Sequence, residues 1–369
     1  MLTRQIANVI VKETSIRLNR NVNIMNDKGV IIASRDASRI DHIHEGAVEV
    51  LRTGETLKIS PTDDGKWRGS QPGLNLPISF QNRIVGVIGI TGNPDEMEDL
   101  GGLVRMTTEL MIKQEYIASQ MEWKQRTKEM IIEELLKPSP SYEAINRGLS
   151  LIELTLNPPF LTLIIQMKER AIPNHTLIQK IEQIIGQGNG IVGFININRL
   201  FVMLNGLTES QTIKRVERIY YELKKIKLTF QLSFSTPFDS IEECNQSYKD
   251  CDLAFEISNS SQEIISFADI EAKALIYQIS HPGAKRFSQR IMNDSLSSYV
   301  DTLEAFFENN LNIQQTSDAL FIHRNTLIYR LNKVKEETGY DPRYFKDALT
   351  LRIAIWISKK KAGKTNYYG

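Results

Sequence analysis

The chain has 369 residues, 41% of them hydrophobic and 24% charged, with 45 Lys and Arg against 44 Asp and Glu. That length suits two or three cored domains at roughly 100–200 residues each, and the near-neutral balance excludes a coating mode of DNA binding driven by charge neutralisation alone. No apolar run approaches the ~20 residues of a membrane helix, and the opening MLTRQIANVIVKETS is broken by polar and charged side chains. A cytoplasmic location without a membrane partner is expected.

Ile6, Val9, Ile10, Ile16 and Leu18 recur at helical spacing and predict an amphipathic helix from Leu2 to about Leu18. Val22-Asn23-Ile24-Met25, the turn Asn26-Asp27-Lys28-Gly29 and Val30-Ile31-Ile32-Ala33 predict a hairpin. A second runs Leu74 to Phe80, Gln81-Asn82-Arg83, then Ile84 to Ile90. Between them come a short helix from about His44 to Arg52, a strand at Thr56 to Ile59 and a polar loop, Thr62 to Gly73. Helices wrapped on an antiparallel sheet suggest a PAS-like sensor core over residues 1–93.

The chemistry of this region lies in Ser34-Arg35-Asp36-Ala37-Ser38-Arg39-Ile40-Asp41-His42-Ile43-His44-Glu45-Gly46-Ala47, which leaves a strand and enters a helix. Such a loop offers hydroxyls, guanidinium groups and free backbone N–H groups, a combination that favours an anion. Arg39 can hold a carboxylate bidentately, and Ser34 and His44 can bond oxygens. Equally, Asp36 or Ser38 can cap a turn, and His42 or His44 can be a satisfied packing histidine.

Pro94 to Leu136 predicts one long helix or two in series, forming a connecting segment over 94–137. Leu103, Leu110, Ile117 and Ile131 fall on a seven-residue step, with Leu100, Met121 and Leu135 on a parallel set, so a weak coiled-coil seam is expected. A helix that simply covers its own domain is the alternative. Lys137-Pro138-Ser139-Pro140 breaks the helix.

Beyond it, a strand Phe160 to Met167, helix Thr176 to Ile185, hairpin Ile191 to Ile197 with Leu200 to Leu204, helix Ser210 to Ile226, strand Leu228 to Ser235, helix Ser240 to Ile257 and strand Ile264 to Phe267 are expected. This order over 138–290 resembles the palm-like domain of diguanylate-type nucleotide cyclases. A catalytic member needs carboxylates for metal ions on the first strand and at the hairpin turn. The strand FLTLIIQM has none and the turn reads Asn196-Ile197-Asn198-Arg199, so a degenerate, non-catalytic domain is expected. Cys244 and Cys251, seven apart on one helix, are too far apart for a disulfide and supply no metal cluster.

Glu271 to Ile279 predicts a short helix that His281-Pro282-Gly283 closes, and Tyr299 to Glu308 opens an all-α C-terminal bundle over 291–369. Ile313 to Leu320, a break at Phe321-Ile322-His323, and a helix from about Arg324 to Glu337 have the layout of a helix-turn-helix. Leu327, Leu331 and Val334 form the inward stripe. His323, Arg324, Asn325, Thr326, Tyr329, Arg330 and Lys333 are left for base edges and phosphates. Gly339 stops the helix, Asp341-Pro342 opens the last one, and Phe345, Leu349, Ile353 and Ile355 are expected to pack under the bundle. The tail Lys359-Lys360-Lys361 can touch phosphates.

Ala319-Leu320-Phe321-Ile322-His323-Arg324-Asn325-Thr326-Leu327 with Tyr329-Arg330-Leu331 resembles the C-terminal helix-turn-helix of purine-catabolism-type and sugar-diacid-type bacterial regulators, with Phe321 at a turn position where many such units have Gly. The loop motif, with Gly73-Leu74-Asn75-Leu76-Pro77-Ile78, resembles the sugar-diacid recognition domain of the carbohydrate diacid regulators. Their pattern of Ser, acidic spacer, Arg-Ile and His-Glu-Gly-Ala is matched by Ser34, Asp36, Arg39-Ile40 and His44 to Ala47. Asp41 stands where a Gly is usual, and Arg35 where a small residue is common.

The resemblance implies effector contacts from Ser34, Arg35, Arg39, Ile40, His44, Glu45, Gly46, Ala47, Gly73, Leu74, Asn75 and Leu76, with glycerate, glucarate or galactarate as the kind of acid bound. The expected protein is thus an α+β multidomain, ligand-responsive DNA-binding regulator, an activator of uptake or breakdown genes. It would work as a homodimer or higher homo-oligomer, with no cofactor and no enzymatic activity. A sensor-controlled nucleotide cyclase, or a regulator reading a purine breakdown product, is the alternative.

Overall fold

The computed structural model describes residues 2–63, 66–169, 172–258, 262–292 and 294–360. It divides into two compact units, Met1–Arg126 and Thr127–Gly369. No helix among the described residues is long and apolar enough to cross a membrane.

In the first unit, helix α1 (Arg4–Leu18) starts at Thr3, whose hydroxyl accepts the Ile6 N–H. Strands β1 (Val22–Met25) and β2 (Ile31–Ser34) lead to α2 (Glu45–Thr53), β3 (Leu57–Ile59), the hairpin β4 (Gly73–Phe80) and β5 (Arg83–Thr91), and helix α3 (Glu98–Leu135). The strands form one antiparallel sheet ordered β2-β1-β5-β4-β3. Its second hairpin turns on two residues rather than three: Gln81 and Asn82 have φ of 50° and 61°, the primed-turn hand that matches strand twist.

Alternation along the strands sends Ile24, Leu74, Leu76, Ile78, Ile88 and Ile90 to a core with α1 and α3. Met25, Ile31 and Val87 point to the other face, against Ala47 and Val50 of α2.

Helix α3 is one uninterrupted helix of 38 residues. Val104 and Ile112 join the sheet core, and a Cβ on Gly101 would lie 2.3 Å from a Leu74 methyl, so a side chain there would have to displace Leu74. On other faces Leu103, Met106, Leu110, Ile117 and Met121 are exposed. The expected seam is shorter than the heptad count implied, because Ile131 and Leu135 are buried in the core of the second unit.

The second unit continues with α4 (Tyr142–Leu151), an element the sequence reading did not contain, N-capped by Ser141 through the Ala144 N–H. Then follow β6 (Phe160–Met167), α5 (Asn174–Ile185), β7 (Gly190–Asn196), β8 (Arg199–Asn205), α6 (Glu209–Lys225), β9 (Phe230–Phe234), α7 (Cys244–Ile257) and β10 (Ile264–Ser266). The sheet order is β10-β9-β6-β8-β7, antiparallel except for β10 on β9.

Leu161, Leu163 and Ile165 face α5 and α6, while Phe160 and Ile164 face α4, α7 and the end of α3. One strand therefore serves two cores by its period of two. At the hairpin turn, Arg199 donates to Gln166 (2.8 Å) and Asp252 (2.5 Å). Cys244 and Cys251 are buried and free, and burial pushes the Cys244 thiol up to about 12.

The chain ends in helices α8 (Phe267–Gln278), α9 (Pro282–Ile291), α10 (Asp294–Ser297), α11 (Val300–Glu308), α12 (Ile313–Ala319), α13 (Arg324–Thr338) and α14 (Phe345–Lys359). Pro282 opens α9 instead of merely closing α8, occupying the first helical position where its missing N–H costs nothing. Leu303, Phe306, Leu327, Leu331, Val334, Leu351 and Ile355 form the bundle core.

Phe345 and Leu349, expected to pack under the bundle, are 76% and 44% exposed. The buried stripe of α14 runs through Ala348, Leu351, Ala354 and Ile355, a phase that turns those two outward. Of the lysine tail, Lys359 pairs with Glu304 (2.6 Å) and Lys360 donates to the Ile279 carbonyl, while Lys361 lies outside the described residues.

Candidate functional site

The residues of the loop motif gather over the α2 face of the first sheet. Ser34 ends β2 and donates from Oγ to Asn23 Oδ1 at 2.6 Å, while its oxygen accepts the Asp36 N–H. Asp36 caps the following turn, accepting from both N–H and Oγ of Ser38; those bonds hold its carboxyl below the usual range. Arg35 is exposed and Ile40 half-buried. Asp41 has φ of 69°, a conformation that favours glycine. Its carboxylate is paired with Arg4 of α1, so an ion pair accompanies the strained backbone.

Arg39 reaches from this loop to the next one, donating to the Gly69 carbonyl (2.6 Å) and Gln71 Oε1 (3.3 Å). The guanidinium is half-buried, burial lowers its pKa against the pull of Asp36, and it has no ion pair among the described residues. Three of its five N–H donors remain unused by those two bonds. Gln71 also accepts from Thr91 Oγ1 at 3.5 Å, tying the loop to the end of β5.

His44 is 3% exposed and is the N-cap of α2: Nδ1 accepts the Ala47 N–H at 3.1 Å and lies 3.3 Å from Ser70 Oγ. Burial first, then the Arg39 charge, lowers its pKa from 6.5 to about 4. The ring is therefore neutral, with its proton on Nε2.

The helix start does not offer the free backbone amides that the strand-to-helix loop suggested. Glu45 N–H goes to the Arg68 carbonyl, Gly46 N–H to Ser70 Oγ, and the Glu45 carboxylate takes the Arg68 N–H. The loop preceding β4 has folded onto them. Gly69 is required there, since a Cβ would lie 2.5 Å from the Ile43 carbonyl. Any anion on this face is left to Arg39 and side-chain donors.

Ala47, on α2, packs against Met25, Ile31 and Val87 of the sheet, and Leu74 and Leu76 belong to the opposite core. Gly73 allows a backbone approach in which a Cβ would lie 2.1 Å from the Ile90 carbonyl. Asn75, in contrast, faces α2 and is 2% exposed.

The structure adds Asn23, Ser70 and Gln71 to this group, which sequence reading missed. Asn23 was hidden inside an apolar strand, and the other two lay in a loop without a motif. A cleft of about 540 Å³ in the same unit lies elsewhere, lined by Leu2, Asn26, Asp27, Phe80 and Arg83 among others, and includes none of these residues. Among the described residues no group of three or more His, Cys, Asp or Glu side chains could hold a metal ion.

In the C-terminal bundle, Phe321 at the turn between α12 and α13 has φ of 53° and is 96% exposed. His323 N-caps α13, its Nδ1 accepting the Asn325 N–H at 3.2 Å. Arg324, Asn325, Thr326 and Tyr329 are exposed, and Lys333 pairs with Glu336 and sits 5.8 Å from the Tyr329 ring. Arg330 is different: it donates to Thr302 Oγ1 of α11 at 2.9 Å, and that threonine is 3% exposed. It links helices inside the bundle and is only half-available to a partner.

Residues 2–135 match the family described as "Putative sugar diacid recognition", and residues 299–357 match the PucR C-terminal helix-turn-helix domain. Those two modules in one chain define a helix-turn-helix regulator with an N-terminal recognition module. The chain is 27% identical to the carbohydrate diacid regulator of Escherichia coli K12, over 98% of this chain and 99% of that one. It is 29% identical to an uncharacterized protein of Haemophilus influenzae Rd, over 96% and 99%, and 25% identical to the uncharacterized protein YsfB of Bacillus subtilis 168, over 95% and 97%. Over nearly its full length the chain thus resembles the carbohydrate diacid regulator, with a putative sugar diacid recognition match at its N-terminal end and a PucR-type helix-turn-helix match at its C-terminal end.

Proposed function

We propose that the protein senses a small hydroxylated acid such as glycerate, glucarate or galactarate and activates genes for its uptake or breakdown. The observation that carries this reading is Arg39: a half-buried guanidinium bonded only to neutral oxygens, above a sheet face with buried carboxamides. A partly desolvated cation without a counter-ion favours a carboxylate, and the planar fork binds one bidentately. Ser70, His44 Nε2–H and Asn75 supply hydrogen-bonding groups for the rest of the molecule. The antiparallel sheet with helices on both faces supports the PAS-like reading of residues 1–93.

The output is an operator read by Asn325, Thr326 and Tyr329, with Arg324 and Lys333 on phosphates. The middle domain, residues 138–290, is a non-catalytic cyclase-like spacer, supported by Arg199 standing where a metal-binding acid would be needed. Exposed Leu103, Leu110, Ile117 and Met121 support a homodimer joined along α3. Effector binding shifts a pre-existing equilibrium between two settings of that helix.

Calorimetry on the full chain with glycerate, glucarate, galactarate and allantoin tests the sensor. One hydroxy acid should bind, and Arg39→Ala should weaken it roughly 30-fold or more, the cost of truncating one partner of a hydrogen-bonded charge pair. Unchanged affinity in Arg39→Ala removes Arg39 from the site, and binding of allantoin alone replaces the acid with a purine breakdown product.

A further inference from the structure

Strand register places Ser34, Asn23, Gly89, Asn75 and Leu57 in one line across five strands, each opposite the next. Residues opposite one another share a face, and here it is the face of α2 beneath the loops that carry Arg39 and His44. Two of the line are carboxamides that are each 2% exposed. Asn75 has no hydrogen-bond partner among the described residues, and Asn23 has only the Ser34 hydroxyl on its Oδ1, leaving its NH₂ unbonded. Two residues before Asn23, on the same strand parity, Asn21 Oδ1 is also buried without a partner.

Buried polar groups are normally paired, and each one left unpaired costs about 1–3 kcal/mol. Asparagine is besides a poor strand former. The unpaired atoms of Asn75 and Asn23 are not among the fully enclosed ones, so water or a ligand group can reach this row.

Gly89 stands between the two. Its φ is not in the left-handed region, so conformation does not require glycine; space does. A Cβ there would lie 2.8 Å from Asn75 Oδ1 and 3.4 Å from the Met25 methyl. With neighbouring strands ~4.8 Å apart, Asn23 and Asn75 flank a backbone floor roughly 10 Å wide, with the Asn75 carboxamide and the Met25 methyl reaching over its centre. A carboxamide offers donors and an acceptor side by side, and a hydroxyl, which both donates and accepts, can match both.

We propose that the row Asn23–Gly89–Asn75 is the hydroxyl-reading floor of the effector site. It selects carboxylic acids with hydroxyls on neighbouring carbons over deoxygenated acids of the same length. The inference rests on reading this face as the effector site, with Arg39 taking the carboxylate.

The test uses the full chain, titrated with glucarate, galactarate and glycerate against adipate and succinate, which lack hydroxyls. Wild type should prefer a hydroxy acid by about 100-fold or more, since a site built for hydroxyls rejects analogues without them. Asn75→Leu, which keeps the side-chain shape, should weaken the hydroxy acid roughly 5- to 150-fold, leave adipate unchanged, and melt no lower than wild type in the absence of ligand. Asn23→Ala should lose affinity in the same pattern.

If both variants keep the preference while Arg39→Ala loses the acid, the floor is wrong and the sensor reading stands. If wild type binds none of the acids, the sensor reading falls and the floor with it. A lower melting temperature in Asn75→Leu would mean the carboxamide is paired in the free protein, which also overturns the proposal.

Discussion

Acidification should destabilise the first unit through one side chain. His44 titrates at about 4 in the folded chain instead of 6.5, with burial as the larger cause and the Arg39 charge second. Its folded pKa is depressed, so between those values the unfolded chain holds the extra proton and stability falls as pH drops. The contribution is intact above pH 6.5; at pH 5 the loss is about 2 kcal/mol, taking 1.36 kcal/mol per pH unit over the ~1.5 units between 6.5 and 5.

His44→Asn is the control, because asparagine caps helices well and does not titrate. Denaturant unfolding of both proteins between pH 5 and 8 should give curves that run parallel above pH 6.5 and separate below it, with wild type falling more steeply. Parallel curves over the whole range would mean that His44 is not held neutral by its surroundings, and the assignment of its Nδ1 as helix cap would go with it.

Phe321→Gly should raise the stability of the C-terminal bundle by about 1 kcal/mol, because a non-glycine residue in the left-handed region costs about 1–2 kcal/mol and this ring is 96% exposed. A lower denaturation midpoint refutes that. Arg330→Ala and Asn325→Ala should part company. The first strands the buried Thr302 hydroxyl, costing about 1–2 kcal/mol, so thermal midpoint and operator affinity fall together; the second weakens operator binding by about 1–3 kcal/mol at constant midpoint. Equal midpoints in gel-shift and melting experiments on both variants would put Arg330 back on the reading face.

Strands were the most legible part of the chain, since a buried strand between two layers reads as a continuous apolar run: Phe160–Met167 has the bounds read from the sequence. Helix ends were less so. Three of the five histidines, His44, His281 and His323, are N-caps whose Nδ1 accepts a backbone N–H. Histidine is outside the usual set of capping residues, so nothing local distinguished a cap from a ligand. Pro282 was read as a stop because helix start and helix end use the same residue one position apart.

The polar row across the first sheet was beyond local pattern altogether. Asn75 and Gly89 meet across one hairpin, but Asn23 is distant from both in sequence, and only the register of three strands brings the three into line. What the sequence did carry was an asparagine among the apolar residues of two strands, Val22–Met25 and Gly73–Phe80.

The continuity of α3 sets a rule about length. Val104 and Ile112 are fixed in one core, Ile131 and Leu135 in another, and between them the helix has no proline and no break. Its 38 residues span about 57 Å at 1.5 Å each, and every added residue turns whatever follows by about 100°. A residue inserted between Val104 and Ile112 therefore turns one of the two off the sheet core that both now share. Along this segment the chain can tolerate changes of side chain more readily than changes of count.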